Sequence, residues 1–277
     1  MSPNLLALAA ITLWSTLAFL SVPLARVPPL LVMAITLTTG GLLSAPRWRA
    51  WRVPPRTLAL GLYGLFAYHF CLFVALRRAP AVEANLINYL WPLLLVLLAP
   101  AVLPGTRLAA RHVVGGLVGC AGAMLVIAGR SAATGGTGHV DGYLFALAAA
   151  VIWATYSLLC KRVAPFPTAA VGLFCLLAGV LSLGCHVALD DRYVPTAGEW
   201  LRLAVLGLGP LGAAFYLWDA ALKRGDPRTI GLLSNLTPLL STAWLVLAGH
   251  GRLTWITGLA ALLIVGGAMA GTFKPAS

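Results

Sequence analysis

Three tryptophan residues lie deep inside apolar stretches of the sequence, where an indole ring needs a polar partner. They are Trp14, Trp91 and Trp153. Trp14 is about ten residues from either end of its apolar run, which corresponds to roughly 15 Å of helix rise. An indole N–H without a partner at such a depth in hydrocarbon is costly. We therefore expect the three rings to line a cavity; the alternative is ordinary packing between helices.

Amide and hydroxyl groups accompany Trp91 in the segment NLINYLWP. Asn85, Asn88 and Trp91 recur at intervals of three residues and so fall along one ridge of a helix, with Tyr89 one turn after Asn85. Two carboxamides on one face offer donors and acceptors to a zwitterionic or amide-bearing solute. Hydrogen bonding between helices is the alternative, worth ~0.6 kcal/mol per bond in membranes. The sequence leaves both roles open for Asn85.

Further candidate groups lie in other apolar runs. Tyr68 and His69 stand in the middle of one run, and an ionisable group at such a position is a functional candidate by default. A neutral, hydrogen-bonded imidazole is the alternative for His69. Tyr156 and Trp218 complete the predicted solute contacts. Asp219 is four residues before Lys223, and this spacing also predicts a simple ion pair.

Two prolines mark the centres of apolar runs. Pro92 and Pro238 lack the N–H that would bond the carbonyls of Asn88 and Ser234. The structural alternative is a plain kink that serves packing. The functional interpretation is favoured, because loosened helices at matching positions of a repeated sequence are typical of transport sites.

The elements that must position these groups are membrane-spanning helices. Of the 277 residues, 60% are hydrophobic and 9% charged, against roughly a quarter charged in soluble domains. Runs of about 17 to 25 apolar residues are long enough to span a bilayer. The sequence predicts ten spans: 4–25, 29–45, 57–77, 82–103, 109–129, 141–161, 168–189, 199–222, 228–248 and 253–272.

An internal repeat divides these spans into two sets of five. A shift of 146 residues lays LGLYGLFAYHFCLFVALRR (60–78) over LGLGPLGAAFYLWDAALKR (206–224) and pairs Pro92 with Pro238. Because five is odd, the two halves must cross the membrane in opposite senses, as in many secondary transporters. The predicted fold is an all-α membrane protein of about ten transmembrane helices, two inverted five-helix repeats around a central cavity. The predicted divisions are 1–130, a linker at 131–140 and 141–277.

Charge and cysteine content narrow the function further. The predicted loops on one side hold twelve of the 19 Lys and Arg residues, which predicts that both termini are cytoplasmic. The net charge of +12 is spread over loops rather than gathered in a patch, so we expect no nucleic-acid partner. The five cysteines lack metal-ligand spacing, and neither a metal nor a cofactor is expected. Two GxxxG matches, Gly115–Gly119 and Gly267–Gly271, favour packing within the chain over dimerisation.

The segment LINYLWPLLLVLLAP and its echo LLSNLTPLLSTAWLVL resemble the drug/metabolite transporter superfamily, in particular its EamA-type branch. NYLWP, Trp14, Trp153 and the Tyr68–His69 pair look most like the bacterial exporters of aromatic amino acids. The resemblance implies a basket of helices in the bacterial inner membrane, in contact with the lipid bilayer, that exports aromatic amino acids by alternating access. We expect a monomer without enzymatic activity. Export of other drugs or metabolites is the alternative, and a membrane-embedded enzyme is a more distant one.

Overall fold

A computed structural model describes residues 1–79, 81–128, 139–248 and 255–272 of the chain. These residues form helices joined by turns and short loops, with no strand among them. The α-helices of the first half are α1 Pro3–Ser15, α2 Leu17–Ser21, α3 Pro29–Leu42, α4 Pro55–Leu62, α5 Tyr68–Arg78, α6 Ala81–Asn88, α7 Trp91–Val102 and α8 Ala110–Ala128. Those of the second half are α9 Val140–Leu159, α10 Val171–Leu189, α11 Ala197–Leu208, α12 Ala214–Arg224, α13 Pro227–Ser234, α14 Leu236–Leu247 and α15 Trp255–Thr272.

Within the described residues, every predicted span coincides with one helix or with helices that follow each other directly. Five continuous stretches are long and apolar enough to cross a membrane: Pro3–Ser21, Pro55–Arg78, Val140–Leu159, Thr168–Leu189 and Ala197–Arg224. A sixth is added if Pro29–Leu42 and Ala45–Trp51, bent by 87°, form one broken span. The protein is therefore an all-helical, multi-pass membrane protein. The count of ten crossings stays a prediction, and most of the predicted linker at 131–140 lies outside the described residues.

The two halves share unusual helix breaks at positions related by the 146-residue shift. A π-helical turn at Tyr63–Ala67 separates α4 from α5, and another at Gly209–Ala213 separates α11 from α12. The break before α7 likewise corresponds to the break at Asn235 before α14. π-Turns are frequent at functional sites. The equivalence predicted from the sequence thus extends to the irregularities of the backbone.

Pro92 and Pro238 lie in the first turns of α7 and α14, where a missing N–H interrupts no internal bond. A helix break lies directly before each proline, and the role of these breaks in transport stays a prediction. In the second half the Thr237 hydroxyl donates to the Ser234 carbonyl at 2.8 Å. This bond satisfies the Ser234 carbonyl, to which Pro238 has no N–H to donate.

The GxxxG motifs bring α8 and α15 together. A Cβ on Gly115 would lie 2.6 Å from the Gly267 carbonyl oxygen, and one on Gly267 would lie 2.7 Å from the Gly119 nitrogen. Only residues without a side chain permit this approach. The prediction that these glycines serve packing within the chain is confirmed.

Candidate functional site

A cavity of about 460 Å³ lies among α1, α2, α5, α6, α7, α9, α12 and α14, and we call it the chamber. Pockets of this size suit small organic solutes. The chamber is lined by Trp14, Leu17, Ser21, Tyr68, His69, Leu72, Leu76, Asn85, Asn88, Tyr89, Trp91, Trp153, Leu211, Phe215, Thr237, Pro238 and Ser241. None of the described residues that line the chamber is Lys, Arg, Asp or Glu. The polar groups of the chamber are therefore neutral dipoles and the imidazole of His69.

Three indole rings from three helices meet at one end of the chamber, which we call the floor. The Trp14 ring lies 5.7 Å from Trp153 and 6.4 Å from Trp91, and Trp91 lies 6.4 Å from Trp153. All three pairs pack edge to face, which suits the quadrupoles of aromatic rings. Trp91 and Trp153 are buried, whereas Trp14 keeps partial exposure. These residues are up to 139 positions apart in the sequence, and the fold brings them together in the floor.

Trp218 and Tyr156, two of the predicted solute contacts, lie behind the floor rather than on it. Trp218 is 1% exposed, contacts Trp14 at 5.0 Å and Trp91 at 5.6 Å, and donates its indole N–H to Ser157 at 3.1 Å. Tyr156 packs against Trp153 at 5.5 Å and against Gly64, where a Cβ would collide with its ring. Both support the floor, because each is covered by the rings that face the chamber.

The polar side of the chamber comes from α5, α6 and α14. The Asn88 amide nitrogen donates to the Tyr68 hydroxyl at 3.4 Å, and Tyr89 and Thr237 line the same cavity. Asn88 is 4% exposed, and its Oδ1 has no hydrogen-bond partner among the described residues. Asn85 is exposed and lies farther from the floor. The arrangement offers a buried acceptor and several neutral donors to a bound solute.

His69 is held in one orientation by the backbone. Its Nδ1 lies 2.6 Å from the Leu65 carbonyl oxygen, which can only accept, so Nδ1 carries the proton of this bond. In the neutral imidazole Nε2 is then the acceptor. The ring is 7% exposed and packs edge-on to Tyr68 and Phe215. His69 thus satisfies its structural bond and still forms part of the chamber wall.

The second half contributes lining residues that the sequence reasoning missed, namely Leu211, Phe215, Thr237 and Ser241. The internal repeat could have identified Phe215, because the 146-residue shift aligns it with His69. For Thr237 and Ser241 the related positions hold Trp91 and Leu95, which differ in chemistry. Only the fold identifies those two.

The chamber opens at the end away from the floor. Three lining residues on this side are exposed, Ser21, Leu76 and Asn85. Ser21, at the end of α2, follows Trp14 along the chain, and Leu76 follows His69 along α5. Asn85 of α6 precedes the floor residue Trp91 of α7. On the far side of the floor the chain is closed by bonds such as that from Lys161 Nζ to the Gly225 carbonyl.

Charged groups lie outside the chamber. Asp219 pairs with Lys223 at 2.6 Å, as the sequence spacing predicted, and also accepts from Thr168 at 2.6 Å. Asp190, just beyond α10, accepts from Arg77 and from His186. Burial raises the pKa of the Asp190 carboxyl, but the hydrogen bonds from Arg77 and His186 outweigh it and hold the pKa below its ordinary value.

A metal site would need several His, Cys, Asp or Glu side chains close together among the described residues. No group of three or more His, Cys, Asp or Glu comes together there, and the five cysteines are free thiols. The lining residues could hold a solute by stacking and by neutral hydrogen bonds.

Comparison with known proteins gives consistent matches along the whole chain. The model of the EamA-like transporter family matches residues 1–128 and again 140–271. The chain is 44% identical to the "Aromatic amino acid exporter YddG" of Ancylobacter novellus, covering 98% of this chain and 97% of that protein. It is 28% identical to the protein of the same name from Salmonella typhimurium, covering 87% and 86%. A solved crystal structure with 44% sequence identity superposes with a TM-score of 0.92, covering 98% of this chain and 96% of the other.

Proposed function

This chain belongs to the EamA-like transporter family, and on that premise we propose that it exports aromatic amino acids and related aromatic compounds across the bacterial inner membrane by alternating access. Exporters named for aromatic amino acids match it over nearly its full length. The chamber supplies the physical reason why an aromatic solute is suited to this member of the family.

The observation that carries the proposal is the floor formed by Trp14, Trp91 and Trp153. Each pair of rings is within 6.4 Å, and all three line one cavity. An aromatic side chain entering there gains about 0.5–1.5 kcal/mol per ring contact beyond burial. An ammonium group above an indole face gains a further attraction.

The polar side of the chamber receives the charged groups of the amino acid. Asn88 Oδ1 is an acceptor without a partner among the described residues and would take the ammonium group. Tyr68, Tyr89 and Asn85 provide donors for the carboxylate, and His69 Nε2 adds an acceptor. The described residues of the chamber wall carry no formal charge. A zwitterionic solute does not require a charged wall, because its own two charges balance.

Alternating access follows from two inverted halves, residues 1–130 and 141–277, that move against each other. The helix breaks at Pro92 and Pro238 provide hinges at equivalent positions. With both termini in the cytoplasm, Ser21 lies at the outer end of the first span, at the end of α2, and the chamber then opens outward. A single chain contains both halves and a complete chamber, so it functions as a monomer.

Export of other drugs or metabolites is the second candidate, because the fold does not fix the substrate. A carrier of nucleotide sugars would place cationic groups near the diphosphate, and the described wall holds none. A membrane-embedded enzyme would need clustered catalytic groups. The scattered single groups of the chamber favour transport.

Flux into proteoliposomes tests the proposal. Vesicles loaded with unlabelled phenylalanine should take up labelled phenylalanine by exchange, and tyrosine and tryptophan should compete more strongly than the aliphatic substrate leucine. Asn88→Leu should reduce exchange, whereas the matched change Asn4→Leu, at an exposed position of α1, should leave it intact. Exchange no faster than in empty vesicles would rule out this substrate class.

A further inference from the structure

Asp219 is a buried carboxylate with an incomplete set of hydrogen bonds. The residue lies in α12 and is 4% exposed. Its Oδ2 accepts from Lys223 Nζ and from the Thr168 hydroxyl, both at 2.6 Å. Its Oδ1 is buried and has no partner among the described residues. A buried carboxylate oxygen without a donor is unfavourable, so one side of this group is left open to a further ligand.

Two other buried carboxylates, by contrast, have hydrogen-bond partners for both of their oxygen atoms. Glu199 accepts from the Tyr193 hydroxyl with Oε1 and from Thr196 with Oε2, all within 3.0 Å. Asp190 uses one oxygen for Arg77 and the other for His186. Both stand at the ends of helices, and each completes a structural motif. Among these three carboxylates, only Asp219 has an unused oxygen.

Lys223 is held by groups other than Asp219. Its Nζ donates to the Phe166 carbonyl at 2.8 Å and lies 3.6 Å from the centre of the Phe166 ring. The carbonyl bond and the cation–π contact together can hold the ammonium charge. Lys223 therefore keeps favourable partners when Asp219 is neutralised. A residue that served only as the ion-pair partner of Asp219 would not need them.

The position of Asp219 connects it to the chamber. It directly follows Trp218, whose ring supports Trp14 and Trp91 from behind. Through Thr168 it ties α12 to the segment between α9 and α10 on the closed side of the floor. The 146-residue shift places Phe73 at the related position of the first half, so the carboxylate belongs to one half alone.

The remaining surroundings of Asp219 are neutral. The titratable groups that face it are Lys223 on its own helix and, from α9 and the turn that follows, Tyr156 and Cys160, with Cys175 of α10 beyond Tyr156. Helix α1 packs against α12 and contains no titratable side chain. Among the described residues, a change in the charge of Asp219 is therefore balanced by Lys223 alone.

We propose that Asp219 Oδ1 is the proton-binding site that couples export to a proton gradient, a proposal that rests on the proposed function. A proton on Oδ1 removes the negative charge that strengthens the bonds from Lys223 and Thr168. Charge-assisted hydrogen bonds are roughly twice as strong as neutral ones, so the tie across the closed side weakens. The proton then favours the conformation that is open on that side, and its release restores the tie. Linkage makes substrate and proton movements interdependent.

The test compares gradient-driven accumulation with exchange in the same proteoliposomes. Vesicles that are acid inside should accumulate labelled phenylalanine several-fold above the level reached without a gradient, because protons leave as substrate enters. Asp219→Asn keeps the shape and the acceptor oxygen for Thr168 but cannot take up a proton. It should retain exchange and lose the accumulation. Asp219→Asn combined with Lys223→Met removes the pair as a neutral unit and should behave in the same way.

Glu199→Gln is the matched control, since it neutralises a buried carboxylate whose oxygens are all in use, and it should respond to the gradient as the parent does. Accumulation by Asp219→Asn equal to that of the parent would overturn the proton site. So would exchange of phenylalanine by the parent without any response to the gradient, while the proposed function would stand. Failure of exchange in the parent would instead reject the proposed function.

Discussion

Replacement of Trp14 by leucine tests whether the floor recognises an aromatic ring. Trp14 is the partly exposed member of the floor, in contact with Trp91 and Trp153. The change removes one ring from the chamber and keeps an apolar side chain in its place. The other two indoles remain, so the expected loss is that of a single ring contact.

The magnitude follows from that contact. One aromatic pair contributes about 0.5–1.5 kcal/mol beyond burial, and 1.4 kcal/mol corresponds to a tenfold change in affinity. The ratio of kcat/KM for phenylalanine to that for the substrate leucine should therefore fall roughly two- to tenfold. The ratio, rather than either value, isolates recognition of the ring, because a general slowing of transport affects both substrates.

The assay is initial-rate uptake of both substrates into proteoliposomes. Trp200→Leu is the matched control, since Trp200 is 48% exposed on α11 and does not line the chamber. It should leave the ratio unchanged. If Trp14→Leu is folded and active but shows the parental ratio, the floor does not select aromatic side chains, and the reasoning from the indole wall is refuted.

Three further predictions concern stability, measured as melting temperature in detergent. Gly267→Ala should destabilise the fold by about 1–3 kcal/mol through overpacking, because its Cβ would lie 2.7 Å from backbone of α8, while Gly266→Ala, with open space around it, should be neutral. Ser157→Ala should cost about 1–3 kcal/mol by leaving the buried Trp218 N–H unpaired, and the loss should vanish in a Trp218→Phe background. Since the pKa of Asp190 is lowered in the fold, its bonds stabilise the protein above about pH 4 and this contribution is lost as pH falls through the lowered pKa. The difference in melting temperature between parent and Asp190→Asn should accordingly shrink below that pH, and a constant difference would contradict the assignment.

Much of the candidate site could be predicted because depth in a span and the repeat are properties of the sequence. Trp14, Trp91 and Trp153 were identified from their depth within the predicted spans, and all three line the chamber. Trp218 was also predicted to contact the solute, yet it lies behind the floor, because the position of a residue along a helix does not say which way its side chain points. Phe215 was missed, although the repeat relates it to His69.

The sequence by itself determined the all-helical membrane class, the repeat, the paired helix breaks and the intrachain role of the GxxxG motifs. These follow from local properties: hydropathy, the missing N–H of proline and the missing side chain of glycine. Tertiary structure alone decided which rings form the surface of the chamber and which support it from behind. It also decided that Asp219 keeps one oxygen unpaired while Glu199 and Asp190 do not. Such distinctions depend on the rotation and separation of several helices at once, and no single stretch of sequence encodes those quantities.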